Sequence, residues 1–291
     1  MQPASGARDL NPQQVEINHL IGSKLSNVFK LWGYEELSPP YIERLETLMA
    51  GDAIANKDIL KVVSDESLGL RPEMTTSIAR AASTRLKEKA RPLRLWAKGT
   101  IFKNKEVGEG LSYIEESQET GIELFGIKSI SAEIELLSLL LESLKSLNLN
   151  KSLKPTLLIG NTELMRLILS KYDHKIRNRI KSILINLDQI AINELDLNSI
   201  SKAELVKINK CRGIPNKVIN DLEGIYGKLN ILEEVRLFFK TIEPISKRYN
   251  IDIQLDPTFT PNFDLYNGFI FQLVCKSNNN QVIIAKGGRY D

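Results

Sequence analysis

Residues 94–126 read RLWAKGTIFKNKEVGEGLSYIEESQETGIELFG. The apolar, strand-like run Leu93–Ile101 leads into Phe102-Lys103-Asn104-Lys105, and glycines at 108 and 110 mark a loop. A second segment, Tyr113–Phe125, follows and stops at Gly126. Two β-rich runs around a glycine-bearing loop predict a hairpin. The second run carries Glu115, Glu116, Gln118, Glu119 and Glu123 among few apolar side chains. A strand buried in a dry core on both faces would not, so one face must meet solvent, a ligand or a partner.

Upstream, Leu70-Arg71-Pro72-Glu73-Met74-Thr75-Thr76 reads as a strand end, a proline that fixes φ, and a helix start. Glu and Thr in such a place are ordinary helix caps. Before it, Ile59–Leu70 alternates weakly and predicts two short strands around Ser64-Asp65-Glu66. Nearer the N-terminus, the turn-rich Gly6–Pro12 leads into a helix over Gln13–Leu31, with Asn11 as N-cap and Pro12 in its first turn. Val15, Ile17, Leu20, Ile21, Leu25, Val28, Phe29 and Leu31 give that helix a broad apolar stripe. Gly33 ends it, and a short strand and two prolines follow within Tyr34–Glu43.

Downstream of the hairpin, Ser131–Leu147 is a leucine-rich helix, Pro155–Gly160 a buried strand and Glu163–Ser170 a helix. Residues 172–232 then change character. They are rich in Lys, Asn, Ile and Leu, with helical periodicity over Ile176–Leu187, Lys202–Asn209 and Lys217–Gly224 and a break at Gly213 and Pro215. This predicts a helical insert whose lysines form either a binding surface or, more commonly, a solvated face. A helix over Asn230–Tyr249 follows. Three strands, Asp252–Leu255, Gly268–Cys275 and Gln281–Ala285, come next, with Asn278-Asn279-Asn280 as the last turn, and the sequence ends Gly287-Gly288-Arg289-Tyr290-Asp291.

Composition narrows the function classes. With 291 residues, one large domain carrying an insert is the natural division. At 42% hydrophobic and 26% charged the chain reads as an ordinary soluble globular protein, and no run of ~18 apolar residues or signal-like leader appears. A cytoplasmic location is expected. A formal charge of +3 is too weak a bias to indicate nucleic acid. Cys211 and Cys275 are far apart with no CxxC, so neither a zinc site nor a disulfide framework is indicated. His19 and His174 sit in polar helical contexts and read as surface residues. None of GxSxG, HExxH, GxGxxG or GxxxxGK[ST] occurs, which leaves covalent-nucleophile, metal and dinucleotide readings without support.

Six strings, in order, carry a resemblance: GARDLNP, GYEELSPP, RPEMT, the 94–126 hairpin, DLYNG at 264–268 and GGRYD at 287–291. Each is degenerate alone; their order is what counts. Together they resemble the class II aminoacyl-tRNA synthetases, and the endings GIELFG and GGRYD resemble the histidyl branch. The resemblance covers all but the helical insert. It implies an α+β fold: an antiparallel sheet of about six strands flanked by helices. The synthetase-like core would occupy 1–171 and 233–291, split by an insert at 172–232. It implies a dimer interface at the helix–strand unit Gln13–Glu43, the first motif of that class. It also implies that Glu73 and Thr75 hold the α-ammonium of an amino acid, a sensible pairing because an ammonium needs about three acceptors. Glu119 or Gln118 adds a further acceptor, the register there being open by one residue. Glu123 and Tyr266 would face an imidazole, and Asp264 belongs to the same amino-acid side.

The departures are concentrated elsewhere. Amino-acid activation develops negative charge at the α-phosphate of ATP and needs fixed cations there. Where the family has Arg after the Phe of the hairpin, this chain has Lys103, which keeps charge but loses the bidentate fork. Lys105 replaces an acid, Glu115 stands in an Arg place, and Pro261 replaces the Arg of the RGLDYYTG segment. Leu265 replaces one of its tyrosines. The third class II motif and an anticodon-binding domain would follow beyond Asp291. Loss on the phosphate side with retention on the amino-acid side is similar to the regulatory subunits of ATP phosphoribosyltransferase. Those proteins assemble with a short catalytic subunit at the first step of histidine biosynthesis and confer feedback by histidine. The resemblance implies a non-catalytic subunit with no catalytic residue, cofactor or metal of its own and no tRNA. The feedback site would lie in the remnant pocket or at the contact with the catalytic subunit. The alternative is the catalytic core of a histidyl-tRNA synthetase.

Overall fold

Asn11 accepts a hydrogen bond from the Gln14 amide (2.9 Å) while its own amide donates to Gln14 Oε1 (3.1 Å), a reciprocal cap that opens helix α1 (Pro12–Leu31). The computed structural model describes residues 3–50, 54–106, 112–149, 153–261, 265–277 and 280–290. They fall into two compact units, Met1–Ala132 and Glu133–Asp291.

In the first unit, α1 is followed by β1 (Glu35–Glu36), β2 (Ile42–Arg44), α2 (Leu45–Leu48), β3 (Leu60–Val62), β4 (Leu68–Leu70), α3 (Thr75–Ser83), β5 (Leu93–Glu106) and β6 (Ser112–Phe125). The expected hairpin is β5–β6, paired antiparallel from Leu93↔Phe125 to Glu106↔Ser112. Its predicted loop glycines at 108 and 110 lie outside the described residues. A strand presents alternate residues to opposite faces. Leu93, Leu95, Ala97 and Ile101 therefore join Met74, Ile78 and Ala82 in one buried cluster with α3. Gly121 sits on that face, where a Cβ would come within 3.0 Å of Met74 Cβ. The other face carries Trp96, fully buried against Phe29 of α1 with ring centroids 5.5 Å apart. The hairpin is thus packed between α1 and α3. Beside it, β2, β4 and β3 form a small antiparallel sheet, the β3–β4 pair being the one expected around Ser64–Glu66.

The α1 stripe divides. Val28 and Phe29 are buried, but Ile17, Leu20 and Leu31 are 48%, 55% and 81% exposed.

The second unit holds α4 (Ser131–Ser146, entering from the first), β7 (Thr156–Asn161), α5 (Thr162–Ser170), α6 (His174–Ile185), α7 (Gln189–Asn193), α8 (Ser199–Lys210), α9 (Pro215–Tyr226), α10 (Asn230–Tyr249), β8 (Asp252–Leu255), β9 (Phe269–Ser277) and β10 (Asn280–Gly288). Helix α7 has only five residues, too few for the periodicity that reveals a helix in sequence. The sheet order is β10-β9-β7-β8. Most strand pairs are antiparallel, as expected of an antiparallel sheet; β7 pairs with β8 in parallel, as β1 does with β5. Parallel neighbours need a long crossover, and α5–α10 supply it between β7 and β8. Gly160 in β7 admits the Phe259 carbonyl to within 1.9 Å of where a Cβ would stand. Phe238 of α10 stacks on Phe269 of β9 at 3.9 Å. Met165, Ile168, Ile180, Leu184, Leu205 and Ile208 build a second core among α5, α6 and α8. Among the described residues no helix is long and apolar enough to cross a membrane.

Candidate functional site

A helix start leaves backbone N–H groups without partners and favours negative charge beside them. At α3 two carboxylates answer both demands. Glu73 accepts from the amides of Thr75 and Thr76 (2.8 Å for the latter), and Glu119 Oε1 accepts from the Met74 amide at 3.1 Å. Glu73 is therefore a helix cap. A carboxylate has about four acceptor positions, so Glu73 retains capacity for a further donor. Thr75 is half-buried at the same terminus. Glu123 lies on the same face of β6, four residues beyond Glu119 with Gly121 between them, and is buried to 8% exposure.

Gln118 goes the other way. It sits on the opposite face of β6, where its amide donates to Thr100 Oγ1 at 2.8 Å. Strand alternation brings Glu119, and not Gln118, to α3. Tyr266 belongs to the second unit and packs over Gly288, where a Cβ would approach Tyr266 Cδ1 to 2.7 Å. Asp264 lies outside the described residues. Next to Gly288, Arg289 makes a two-pronged ion pair with Glu133 of α4, at 2.7 and 2.8 Å, which fastens the GGRYD segment.

Two charged groups near the acids were not read from sequence. Glu43 in β2 is buried and held by Arg80 of α3 through Nε (3.1 Å) and Nη2 (2.8 Å). Arg71 is 1% exposed and donates from Nε to the Thr100 carbonyl (3.1 Å) and from Nη1 to that of Pro39 (2.7 Å). Burial pushes its guanidinium down from the ordinary value, against the fields of Tyr41, Glu119 and Glu43. An Arg before Pro-Glu at a strand end was the available signal, but a fully buried Arg is too uncommon to infer from composition. On the hairpin's distal part, Lys103 is half-buried opposite Glu115, whose partner is the exposed Lys105 at 3.7 Å. Such an exposed pair contributes little.

Among the described residues no group of three or more His, Cys, Asp or Glu side chains is placed to hold a metal ion. Both cysteines are buried free thiols. Burial, with Asp221 and Asp256 nearby, pushes Cys211 from 9.0 to about 11, and burial raises Cys275. A folded-state value above the unfolded one stabilises the fold below the unfolded value. For Cys211 that contribution is lost as pH rises from 9.0 through about 11. Neither thiol is expected to react with a thiol reagent in the folded chain at about pH 8, where thiolate is scarce. Both are expected to react after unfolding; rapid labelling of the native chain would contradict this.

A family model described as histidyl-tRNA synthetase matches residues 6–291. The solved structure of an ATP phosphoribosyltransferase regulatory subunit/histidyl-tRNA synthetase from Bacillus halodurans C has a TM-score of 0.87 at 24% identity, covering 100% of this chain and 76% of that one. The ATP phosphoribosyl transferase (HisG:HisZ) complex from Thermotoga maritima gives a TM-score of 0.72 at 15% identity, over 93% of this chain and 91% of that one. With the hairpin and the capped α3, these matches define the fold as that of a class II, histidyl-tRNA synthetase-like protein. Within that class the sequence is more specific. It is 51% identical over 291 residues to the ATP phosphoribosyltransferase regulatory subunit of Prochlorococcus marinus (strain MIT 9313), covering 100% of this chain and 74% of that relative. The chain belongs to the family of ATP phosphoribosyltransferase regulatory subunits, proteins of histidine biosynthesis.

Proposed function

We propose that this regulatory subunit assembles with a short-form catalytic subunit and confers feedback by binding free histidine at the acidic end of α3. The observation that carries the reading is the convergence of Glu73 and Glu119 on one helix terminus, with Glu123 buried on the same strand face. Three carboxylates so placed, one of them buried, concentrate negative charge at one helix terminus and strand face, which favours a cationic ligand. Glu73, Thr75 and Glu119 would take the ammonium and Glu123 the imidazole. Asp264 and Tyr266 enter this proposal through the sequence resemblance alone. The phosphate side is weaker than the amino-acid side: Pro261 stands where the family has Arg, and Lys103 keeps the charge of another Arg without its bidentate fork. A single lost transition-state donor costs on the order of 3 kcal/mol, so adenylate chemistry is not expected. Self-association through the exposed apolar face of α1 and the segment to Glu43 accompanies this role. The assembly works in the cytoplasm.

Calorimetry of L-histidine against the chain, alone and with a short-form catalytic subunit, tests the binding. Saturable binding in both is expected. Phosphoribosyl transfer by the catalytic subunit should become histidine-sensitive only when the chain is added. Histidine-dependent pyrophosphate exchange above a no-protein control would instead favour the synthetase reading, and absence of binding would remove the pocket from the account.

A further inference from the structure

A buried guanidinium normally faces a carboxylate, yet the hydrogen bonds of Arg71 run to backbone carbonyls. Nε reaches Thr100 on β5, and Nη1 reaches Pro39 at 2.7 Å and Pro40 at 3.3 Å in the loop before β2. The guanidinium carbon stands 4.4 Å from the centroid of the Tyr41 ring, a cation–π arrangement on the same loop. The Arg71 amide also donates to the Tyr41 carbonyl at 2.9 Å, and the Phe102 amide donates to the Arg71 carbonyl at 3.0 Å. One residue thereby ties the Pro39–Tyr41 loop to the hairpin. Gly99 makes room for it: a Cβ there would stand 2.4 Å from Arg71 Nη2. Gly99 is also the register partner of Glu119, the acid that caps α3. The field of Glu119, with those of Tyr41 and Glu43, favours the charge of Arg71 but does not outweigh the cost of its burial.

We infer that Arg71 is a positioning residue through which occupancy of the acidic end of α3 is felt in the Pro39–Glu43 segment, the strand end of the proposed self-association surface. The inference rests on the histidine reading above. An ammonium bound at Glu73 and Glu119 competes with Arg71 for the same negative field. The guanidinium then depends more on the Pro39 and Pro40 carbonyls and on the Tyr41 ring, and the loop tightens. Two sites linked in this way influence each other reciprocally. A ligand acts on the loop only by favouring one of its states.

The test is amide hydrogen exchange with and without saturating L-histidine, followed in the peptide that covers residues 37–44. In the wild-type chain histidine is expected to slow exchange there by about fivefold, the lower end of ordinary site-to-site coupling. In Arg71→Lys, which keeps the charge but loses the planar fork, and in Gly99→Ala, which crowds Nη2, histidine is expected to bind without that slowing. Should neither fold, Tyr41→Leu decides: the ring is on an exposed loop position, its loss removes the cation–π contact, and it alters none of the acids. Slowing of equal size in a variant that binds histidine would overturn the inference, as would wild-type binding with no change at 37–44. Loss of binding in folded variants would overturn it too, by making Arg71 part of the site itself. Failure of the wild-type chain to bind histidine would instead remove the underlying reading, and the calorimetry separates that case.

Discussion

Glu73→Ala is expected to weaken histidine binding by at least about thirtyfold, because removing one partner of a hydrogen-bonded charge pair costs ~2 kcal/mol or more. The same change removes the acceptor for two α3 amides, so it should also cost about 1 kcal/mol of stability. The two effects separate in Glu73→Gln. Its single amide oxygen can still accept from one of the two amides, but the second acceptor and the charge are gone. Glu73→Gln should therefore keep part of the stability lost in Glu73→Ala and lose most of the affinity. Calorimetry with denaturant unfolding of the three proteins checks this. Equal affinity in wild type and Glu73→Ala would show that Glu73 is a cap and nothing more.

Trp96→Ala should be among the most damaging single core changes, at ~3–5 kcal/mol. The indole is fully buried, packs on Phe29 and joins α1 to the hairpin. Trp96→Phe should cost much less than its lost area implies. Nε1 of Trp96 is buried with no hydrogen-bond partner among the described residues, and such an orphaned donor costs ~1–3 kcal/mol. Removing the N–H together with part of the ring offsets one loss with one gain. Unfolding midpoints for the two variants decide the matter, and equal losses would mean that the indole N–H is satisfied in solution. Because the exposed apolar face belongs to the helix that Trp96 anchors, Trp96→Ala is also expected to weaken the proposed self-association.

Local chemistry made much of this legible. The Asn11–Pro12 cap, the helix over Asn230–Tyr249 and the strand Asp252–Leu255 lie where residue patterns put them. So does the hairpin, whose polar second strand signalled a face not given wholly to core. What escaped depends on long-range placement. Apolar periodicity says that α1 has a stripe but not which part is covered, and only Val28 and Phe29 of its apolar residues are buried. Glu73 could be read from sequence as a cap or as an ammonium acceptor, and the structure establishes the cap. Glu119 and Gln118 differ by one residue, and only pairing with β5 fixes which one turns toward α3. The parallel β7–β8 pairing and the carbonyl cage around Arg71 join segments far apart in sequence, which no local pattern encodes.

The placement of β7 in its sheet sets an order of events during synthesis. Thr156 pairs with Asp252 and with Val274, so both neighbours of this inner strand are made about a hundred residues later. Closing so long a loop from a disordered chain costs on the order of 4 kcal/mol in the logarithmic term alone. Helices α5–α10 fill the interval, and their local contacts form early, shortening the gap before any strand pairing is attempted. Until Asp252 has left the ribosome, β7 carries two bare edges of Leu157, Leu158 and Ile159, a ready template for other chains. Nascent chains halted between α5 and β8 should therefore be the most prone to aggregation, and release past Val274 should end that vulnerability.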